Sequence, residues 1–182
     1  MPENKVELFL FLSSYVENTL RNKNSQKVVV VTKGDRAESC GSFTDVSNMS
    51  PCSHEEADTR LMLHVCDIKK SGLAKIAIRT VDSDVVVLAV SFALELNVEE
   101  LWIHYGTGKN IRNIAAHEIA QVLGTEKCRA LRFFHALSGC DTVSAFALKG
   151  KKSFWDTWSR CSEITECFAI LSSQPTMMLK VY

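Results

Sequence analysis

Residues 79–90, RTVDSDVVVLAV, contain two aspartates, Asp82 and Asp84, at the start of a long apolar run. Two unpaired carboxylates buried in such a run would be costly, so water, a base or a metal ion must meet them. Residues two apart share one face at the end of a strand, whereas in a helix they point about 200° apart. The spacing therefore predicts a paired-carboxylate site at a strand end. The alternative is a helix capped by Asp82 or Ser83, with a dipole that favours Asp84.

The segments around this stretch alternate between helical and extended patterns. Apolar spacing predicts a helix over 4–22, and the run KVVVV predicts a strand over 27–31, followed by a long loop or weak hairpin over 34–52. We expect further helices over about 54–70, 115–123 and 126–137, and strands over 74–81, covered on both faces, and 100–105. The segment VVVLAVSFAL fits a buried helix better than a second strand. This order predicts an α/β sandwich with a mostly parallel central sheet.

The composition is that of one compact domain, with 182 residues, 46% apolar content and no net charge. Acidic residues concentrate in 35–67 and basic residues in 106–160, which is compatible with a cation site and a phosphate site or with two solvated faces. Seven cysteines, an odd number without a CxxC pair, indicate reduced thiols in an intracellular compartment. The apolar segment near the N-terminus has neither the flanks of a signal peptide nor the length of a membrane span.

Acidic residues fall at three predicted junctions between segments. Glu56 and Asp58 open a helix, where Glu56 also fits a capping box; Asp82 and Asp84 end a strand; Asp141 follows a helix and a glycine. Brought together, these acids would repel by about 1 to 4 kcal/mol for each close pair. Hard oxygen ligands favour Mg²⁺ or Mn²⁺, and two such ions about 4 Å apart can activate water and stabilise a leaving oxygen in phosphodiester cleavage.

Three motifs in this order, EEADT, TVDSDVVVL and HALSGCDTVSAFALKGKKSFWDTW, resemble the acidic motifs of the PIN-like superfamily in its flap endonuclease branch. The resemblance covers about residues 50–160, and the chain also resembles proteins abundant in animal genomes for which a descent from mobile elements is expected. It implies a three-layer sandwich followed by a C-terminal helical hairpin region. It also implies catalytic ligands for one or two Mg²⁺ or Mn²⁺ ions: Glu56, Asp58, Asp82, Asp84 and Asp141.

The region after Asp141 corresponds to the part of the family that grips DNA phosphates. Three lysines flank Gly150 and are expected to contact a nucleic-acid backbone: Lys149, Lys151 and Lys152. An aromatic stripe follows, which is interpreted as core, with base stacking as the alternative: Phe154, Trp155 and Trp158. Each of the five histidines is interpreted as a packing or surface residue.

The N-terminal part departs from the family, whose members begin with strands that carry further metal-binding aspartates. We therefore expect residues 1–182 to form a single, N-terminally truncated PIN-like domain, with a core over about 27–140 and a helical nucleic-acid-binding region over about 141–172. The expected function is a metal-dependent nuclease that hydrolyses phosphodiester bonds. The alternatives are a catalytically inactive binding module or truncated gene product, and a small-molecule phosphatase. The expected partner is nucleic acid, with DNA favoured over RNA. No membrane association is expected, and the nucleus is the favoured compartment.

Overall fold

The computed structural model of the chain describes residues 3–21, 27–40, 45–51, 57–139 and 150–173. The chain divides into two compact units, Met1–Asp67 and Ile68–Tyr182. No helix in the described ranges has the length and apolar character needed to cross a bilayer. The expectation of a single domain is not tested by this division and stays a prediction.

The first unit contains a helix, a β-hairpin and the start of a second helix. Its elements are α1 (Glu3–Arg21), β1 (Val29–Lys33), β2 (Arg36–Cys40), a one-turn 3-10 helix (Ser47–Met49) and α2 (Ala57–Lys70), whose last turn belongs to the second unit. The two helices and the first strand were expected. Residues 34–52 were expected to form a long loop or a weak hairpin, and β2 of this segment pairs antiparallel with β1. Gly34, in the two-residue turn between the strands, has a φ of 62°, which glycine adopts at little cost.

Helix α1 turns its polar side, rather than its apolar side, toward the hairpin. Ser13 and Glu17 are buried, while Phe9, Phe11 and Tyr15 are exposed. Lys33 of β1 accounts for this orientation, because its Nζ atom donates to Ser14 Oγ at 3.0 Å and lies 3.9 Å from the Glu17 carboxylate. The helix predicted from apolar spacing is therefore confirmed, but its apolar positions do not form the packed face.

The second unit is built on a small mixed sheet. Its strands are β3 (Lys75–Thr80), β4 (Glu100–Tyr105) and β5 (Arg112–Ala115), in the order β3-β4-β5. β3 and β4 are parallel, whereas β4 and β5 are antiparallel. The α/β class is thus confirmed, but the expectation of a mostly parallel sheet is wrong for the described strands. β5 escaped prediction because its sequence, RNIA, is short and half polar.

Strand β3 buries one face only. Ile76 and Ile78 are almost completely buried, whereas Lys75, Ala77 and Arg79 are exposed. The expectation that this strand is covered on both faces is therefore wrong, because its two isoleucines alternate with residues that face solvent.

The apolar run after Asp84 forms a helix, as expected. Helix α3 (Ser83–Leu96) buries Leu88 and Ala89 and ends at Asn97, whose φ of 48° places it in the left-handed region. Asparagine tolerates this conformation better than most residues, so it can terminate the helix.

Four further helices complete the described part of the second unit, and α5 packs against both α3 and α7. Their bounds are α4 (Ala116–Leu123), α5 (Thr125–Leu137), α6 (Lys151–Arg160) and α7 (Ile164–Ser172). The last two supply helices where a C-terminal helical region was expected.

An aromatic cluster joins α5, α6 and α7. The Trp158 ring lies 4.9 Å from that of Phe134 and 5.5 Å from that of Phe168, measured between centroids. The same side chain is 3% exposed, and its indole N–H donates to Thr165 Oγ1 at 2.9 Å. The interpretation of the aromatic stripe as core is confirmed for Trp158, whose burial excludes the alternative of base stacking.

Candidate functional site

Asp82 and Asp84, the acid pair, lie at the junction between strand β3 and helix α3. The strand ends at Thr80, whose Oγ1 atom accepts a hydrogen bond from the backbone N–H of Asp82 at 3.0 Å. Asp82 is the N-cap of α3, and its Oδ1 atom accepts from the backbone N–H of Asp84 at 2.8 Å. The alternative interpretation, in which Asp82 caps a helix and Asp84 lies in its first turn, is therefore confirmed, and the paired-carboxylate site stays a prediction.

The neighbouring strand ends at the same edge of the sheet. β4 runs parallel to β3, with Tyr105 opposite Thr80, and the backbone N–H of Gly106 donates to the Thr80 carbonyl at 3.0 Å. Sites in parallel α/β sheets form at this edge, where the chain leaves the strands. Asp82 and Asp84 are both partly buried there.

His135 faces Asp84 from the last turn of α5. The imidazole is 4% exposed, and its Nε2 atom lies 3.0 Å from Oδ1 of Asp84. The two atoms are close, but Nε2 makes no well-formed hydrogen bond within the described ranges. Burial lowers the pKa of His135, and the nearby Lys151 charge lowers it further, while Asp84 and Asp82 act in the opposite direction. The ring is therefore neutral near pH 7.

Lys151 approaches the other side of the same ring. Its Nζ atom lies 3.4 Å from Nδ1 of His135 and donates a hydrogen bond to the carbonyl of Gly139. Lysine has no acceptor atom, so Nδ1 must be the acceptor, and the ring proton then belongs on Nε2, toward Asp84. The amine expected to contact phosphate is engaged within the protein.

Lys152 differs from its neighbour. Its side chain is 88% exposed and forms an (i, i+4) pair with Asp156 at 2.7 Å. Exposed pairs of this kind are weak and are screened by salt. Lys152 therefore remains accessible to an anion in solvent.

The other predicted site residues lie outside the described residues, in the first unit, or on α6. Glu56, Asp141 and Lys149 lie outside the described residues. Asp58 is partly buried in the first turn of α2 and belongs to the first unit. Within the described ranges, no group of three or more His, Cys, Asp or Glu side chains is arranged to hold a metal ion.

His135 is the site residue that sequence reasoning missed. A signal was present, because His135 follows the buried residues Cys128 and Leu131 by seven and four positions, the spacing of one helical face. That spacing predicts a buried imidazole, in agreement with its interpretation as a packing residue. Its contact with Asp84 depends on how α5 packs against α3, which the spacing does not contain.

Comparisons with known proteins give no relative: no family model matches the chain, and neither the curated proteins nor the solved structures contain a match. Functional conclusions must therefore come from the chain's own residues. The resemblance to PIN-like nucleases stays a prediction.

Proposed function

We propose that the chain is a metal-dependent nuclease whose acidic site includes Asp82, Asp84 and Asp141. The observation that carries the proposal is the position of Asp82 and Asp84 together at the carboxyl end of β3, with a buried histidine facing one of them. The order of the three acidic motifs supports it as well. Asp141 follows Gly139 by two residues, and Gly139 is hydrogen bonded to the lysine beside that histidine.

The charges at this edge favour a bound cation. Asp82 and Asp84 contribute two carboxylates, while His135 is neutral and Lys151 contributes one ammonium group. Carboxylate oxygens are hard ligands that suit Mg²⁺ or Mn²⁺, so the donor chemistry fits either ion.

The site residues have separate roles in the proposed reaction. The carboxylates of Asp82, Asp84 and Asp141 would hold the ion, and His135 lies beside Asp84 without cancelling its charge. Lys152 attracts the phosphate backbone through its exposed ammonium group. The divalent ion, when bound, supplies water activation and stabilisation of the negative charge that develops on the phosphodiester.

Asp82→Asn combined with Asp84→Asn tests the proposal. Asparagine caps helices as well as aspartate does, so the change removes charge while a side-chain oxygen remains for the cap. We expect kcat for cleavage of flap, bubble or single-stranded DNA in Mn²⁺ to fall by about 100-fold or more. RNA substrates, assayed in parallel, distinguish the two nucleic acids.

Asp45→Asn is the matched control. Its Oδ1 atom accepts from the backbone N–H of Ser47 at 2.9 Å, the same two-residue hydrogen bond that Asp82 makes to Asp84. We expect this variant to cleave as the parent does. Equal cleavage by the parent and the double variant would contradict the proposal. Strand binding without cleavage would identify an inactive module, and nucleotide turnover without strand binding would identify a phosphatase.

A further inference from the structure

We propose that the outer face of the three-stranded sheet binds single-stranded nucleic acid, with a base stacked on Trp102 and a phosphate held by Arg79. The outer face is the side of the sheet opposite its buried isoleucines, and it carries Ala77, Arg79, Trp102, His104 and Asn113. This inference rests on the proposed function and deepens it, because it assigns the class of substrate and the surface that receives it.

Strand pairing puts these side chains on one face. In the parallel pair of β3 and β4, Ile78 lies beside Ile103 and both are buried, whereas Arg79 lies beside His104. Successive side chains of a strand point to opposite faces, so Arg79 and His104 lie on the face away from the isoleucines. Asn113 of β5 is opposite His104 and contacts it at 2.6 Å between Oδ1 and Nδ1.

Trp102 supplies an aromatic surface between two small neighbours. It lies beside Ala77 of β3 and Ala115 of β5, whose methyl groups leave room next to the indole. The indole N–H donates to Glu100 at 2.7 Å, and the ring meets that of His117 edge to face at 5.5 Å between centroids. These contacts hold the half-buried ring in one orientation, which reduces the entropy lost when a base stacks on it.

Arg79 gives the outer face a cation that suits phosphate. Lys75, the other cation on this side of β3, is paired with Glu100. Arg79 is exposed and has no acidic partner in the part of the chain that the structure describes. A guanidinium group can bind a phosphate through two parallel hydrogen bonds. Surfaces that bind single strands combine such cations with aromatic side chains on which bases stack.

The polar side chains of the outer face disfavour a helix as its occupant. A helix packed on a sheet buries apolar side chains, but here Arg79, His104 and Asn113 form one continuous row across the three strands. Burying these groups without partners would be costly. A single strand offers them phosphate, sugar and base-edge partners, so its chemistry matches both this row and the indole.

The outer face ends close to the acid pair. β3 ends at Thr80, one residue after Arg79, and Asp82 follows as the N-cap of α3. Three residues of chain span at most about 11 Å, so the Cα atoms of Arg79 and Asp82 lie within that distance. A strand held by Arg79 is therefore near the carboxylates of the proposed cleavage site.

Binding to the full chain without divalent metal, followed by fluorescence anisotropy of labelled 20-nucleotide strands of about equal length, tests the assignment apart from cleavage. The probes are single-stranded DNA, single-stranded RNA, duplex DNA and an abasic strand that keeps the phosphates but has no bases. We expect the DNA and RNA single strands to bind about 10-fold more tightly than the duplex and the abasic strand, because only their bases are free to stack.

Trp102→Leu is the deciding variant, since it removes the aromatic surface without changing the net charge. We expect it to weaken single-strand affinity by about 5- to 100-fold, and Trp102→Phe to recover most of that loss. Trp155→Leu is the matched control, because Trp155 is half-buried on α6. It is expected to bind as the parent does.

Arg79→Met tests the phosphate contact. It is expected to reduce the slope of log affinity against log salt by about 0.7, the value for one phosphate of a single strand. Arg129→Met changes the net charge equally, but Arg129 is paired with Glu95 on another part of the unit. We expect this control to keep the slope of the parent.

The outcomes separate this inference from the proposed function. Equal affinity of the parent for normal and abasic strands, or no single-strand binding at all, would overturn the outer-face assignment. Full affinity in a folded Trp102→Leu variant, or a loss in Trp155→Leu instead, would do the same. If Trp102→Leu fails to fold, the abasic strand still decides the question. Strand binding through Trp102 without cleavage in Mn²⁺ would leave the assignment intact and contradict the nuclease proposal.

Discussion

Asp82 has two properties that act on different partners. Its oxygen accepts the hydrogen bond that begins α3, while its negative charge lies beside a second carboxylate and a buried imidazole. The cap could be predicted from the sequence, because an aspartate directly before a long apolar run is a local pattern. The sequence did not predict the contact with His135, because that contact joins helices that are distant along the chain.

A buried cation on α5 leads to the first prediction. Arg132 is 6% exposed, its guanidinium lies 4.6 Å from the Phe92 ring centroid, and within the described ranges its Nε atom has no hydrogen-bond partner. Arg132→Met keeps most of the side-chain volume and removes a desolvated charge. We expect the free energy of unfolding in urea to stay equal or rise by about 1 kcal/mol.

Arg132→Ala is the control for packing and is expected to lower the free energy of unfolding by about 2 kcal/mol, because it also removes the aliphatic stem. A loss in the methionine variant as large as that in the alanine variant would contradict this account of Arg132.

His64 in the first unit gives the second prediction. Its Nε2 atom lies 2.7 Å from Thr32 Oγ1, burial and the Arg60 charge lower its pKa, and Asp67 opposes them. The unfolded chain, with a histidine pKa of about 6.5, therefore takes up the proton more readily than the folded chain. The stability due to neutral His64 is fully present above about pH 6.5 and declines as the pH falls.

Thermal unfolding between pH 5 and 7.5 measures this dependence. His64→Gln retains hydrogen-bonding capacity without titrating, so its melting temperature should fall less on acidification than that of the parent. His104→Gln, the same substitution at a partly buried histidine of β4, is the control. An equal acid response in parent and His64→Gln would contradict the prediction.

At the scale of elements, sequence periodicity predicted the helices well and the sheet less well. The stretches that became α1, α3 and α5 are long enough for an apolar period to be read. β5 is only four residues long, and it forms as an antiparallel partner of β4. A strand that depends on its neighbour leaves little trace in its own sequence.

The central strand of the described three-stranded sheet carries the third prediction. Leu101 of β4 is 0% exposed, so Leu101→Ala removes packed methyl groups and leaves a cavity. We expect the free energy of unfolding in urea to fall by about 3 kcal/mol. Val122→Ala on α4 is the control, since Val122 is 87% exposed and should change stability by less than about 0.5 kcal/mol. Similar losses in both variants would contradict this placement of the core.

At the scale of the whole molecule, the α/β class and the helical C-terminal region could be predicted, while the expectation of a single domain stays a prediction. Composition gives the amount of apolar surface available but not how it is divided along the chain. Of the predicted site residues, Asp82 and Asp84 belong to the second unit and Asp58 to the first. Placing acids from distant segments in one site requires long-range packing, which local patterns do not encode.

The cysteines give a prediction for the molecule as a whole. Four cysteines in the described structure are free thiols: Cys66, Cys128, Cys161 and Cys167. The reduced state of all seven cysteines, expected from their odd number, stays a prediction. We expect dithiothreitol to change the melting temperature by less than about 1 °C, because loss of a structural disulfide would cost about 2 to 5 kcal/mol. A clear drop in melting temperature on reduction would contradict the prediction.

The cap at position 82 has a consequence for related sequences. Serine, threonine and asparagine can begin a helix much as aspartate does, so folding alone places little constraint on the ionic character of this residue. Whether homologues keep aspartate or replace it by one of the other three types therefore reports selection for its charge, separately from selection for a folded chain. A lineage that keeps aspartate at position 82 keeps a negative charge that the helix cap does not require.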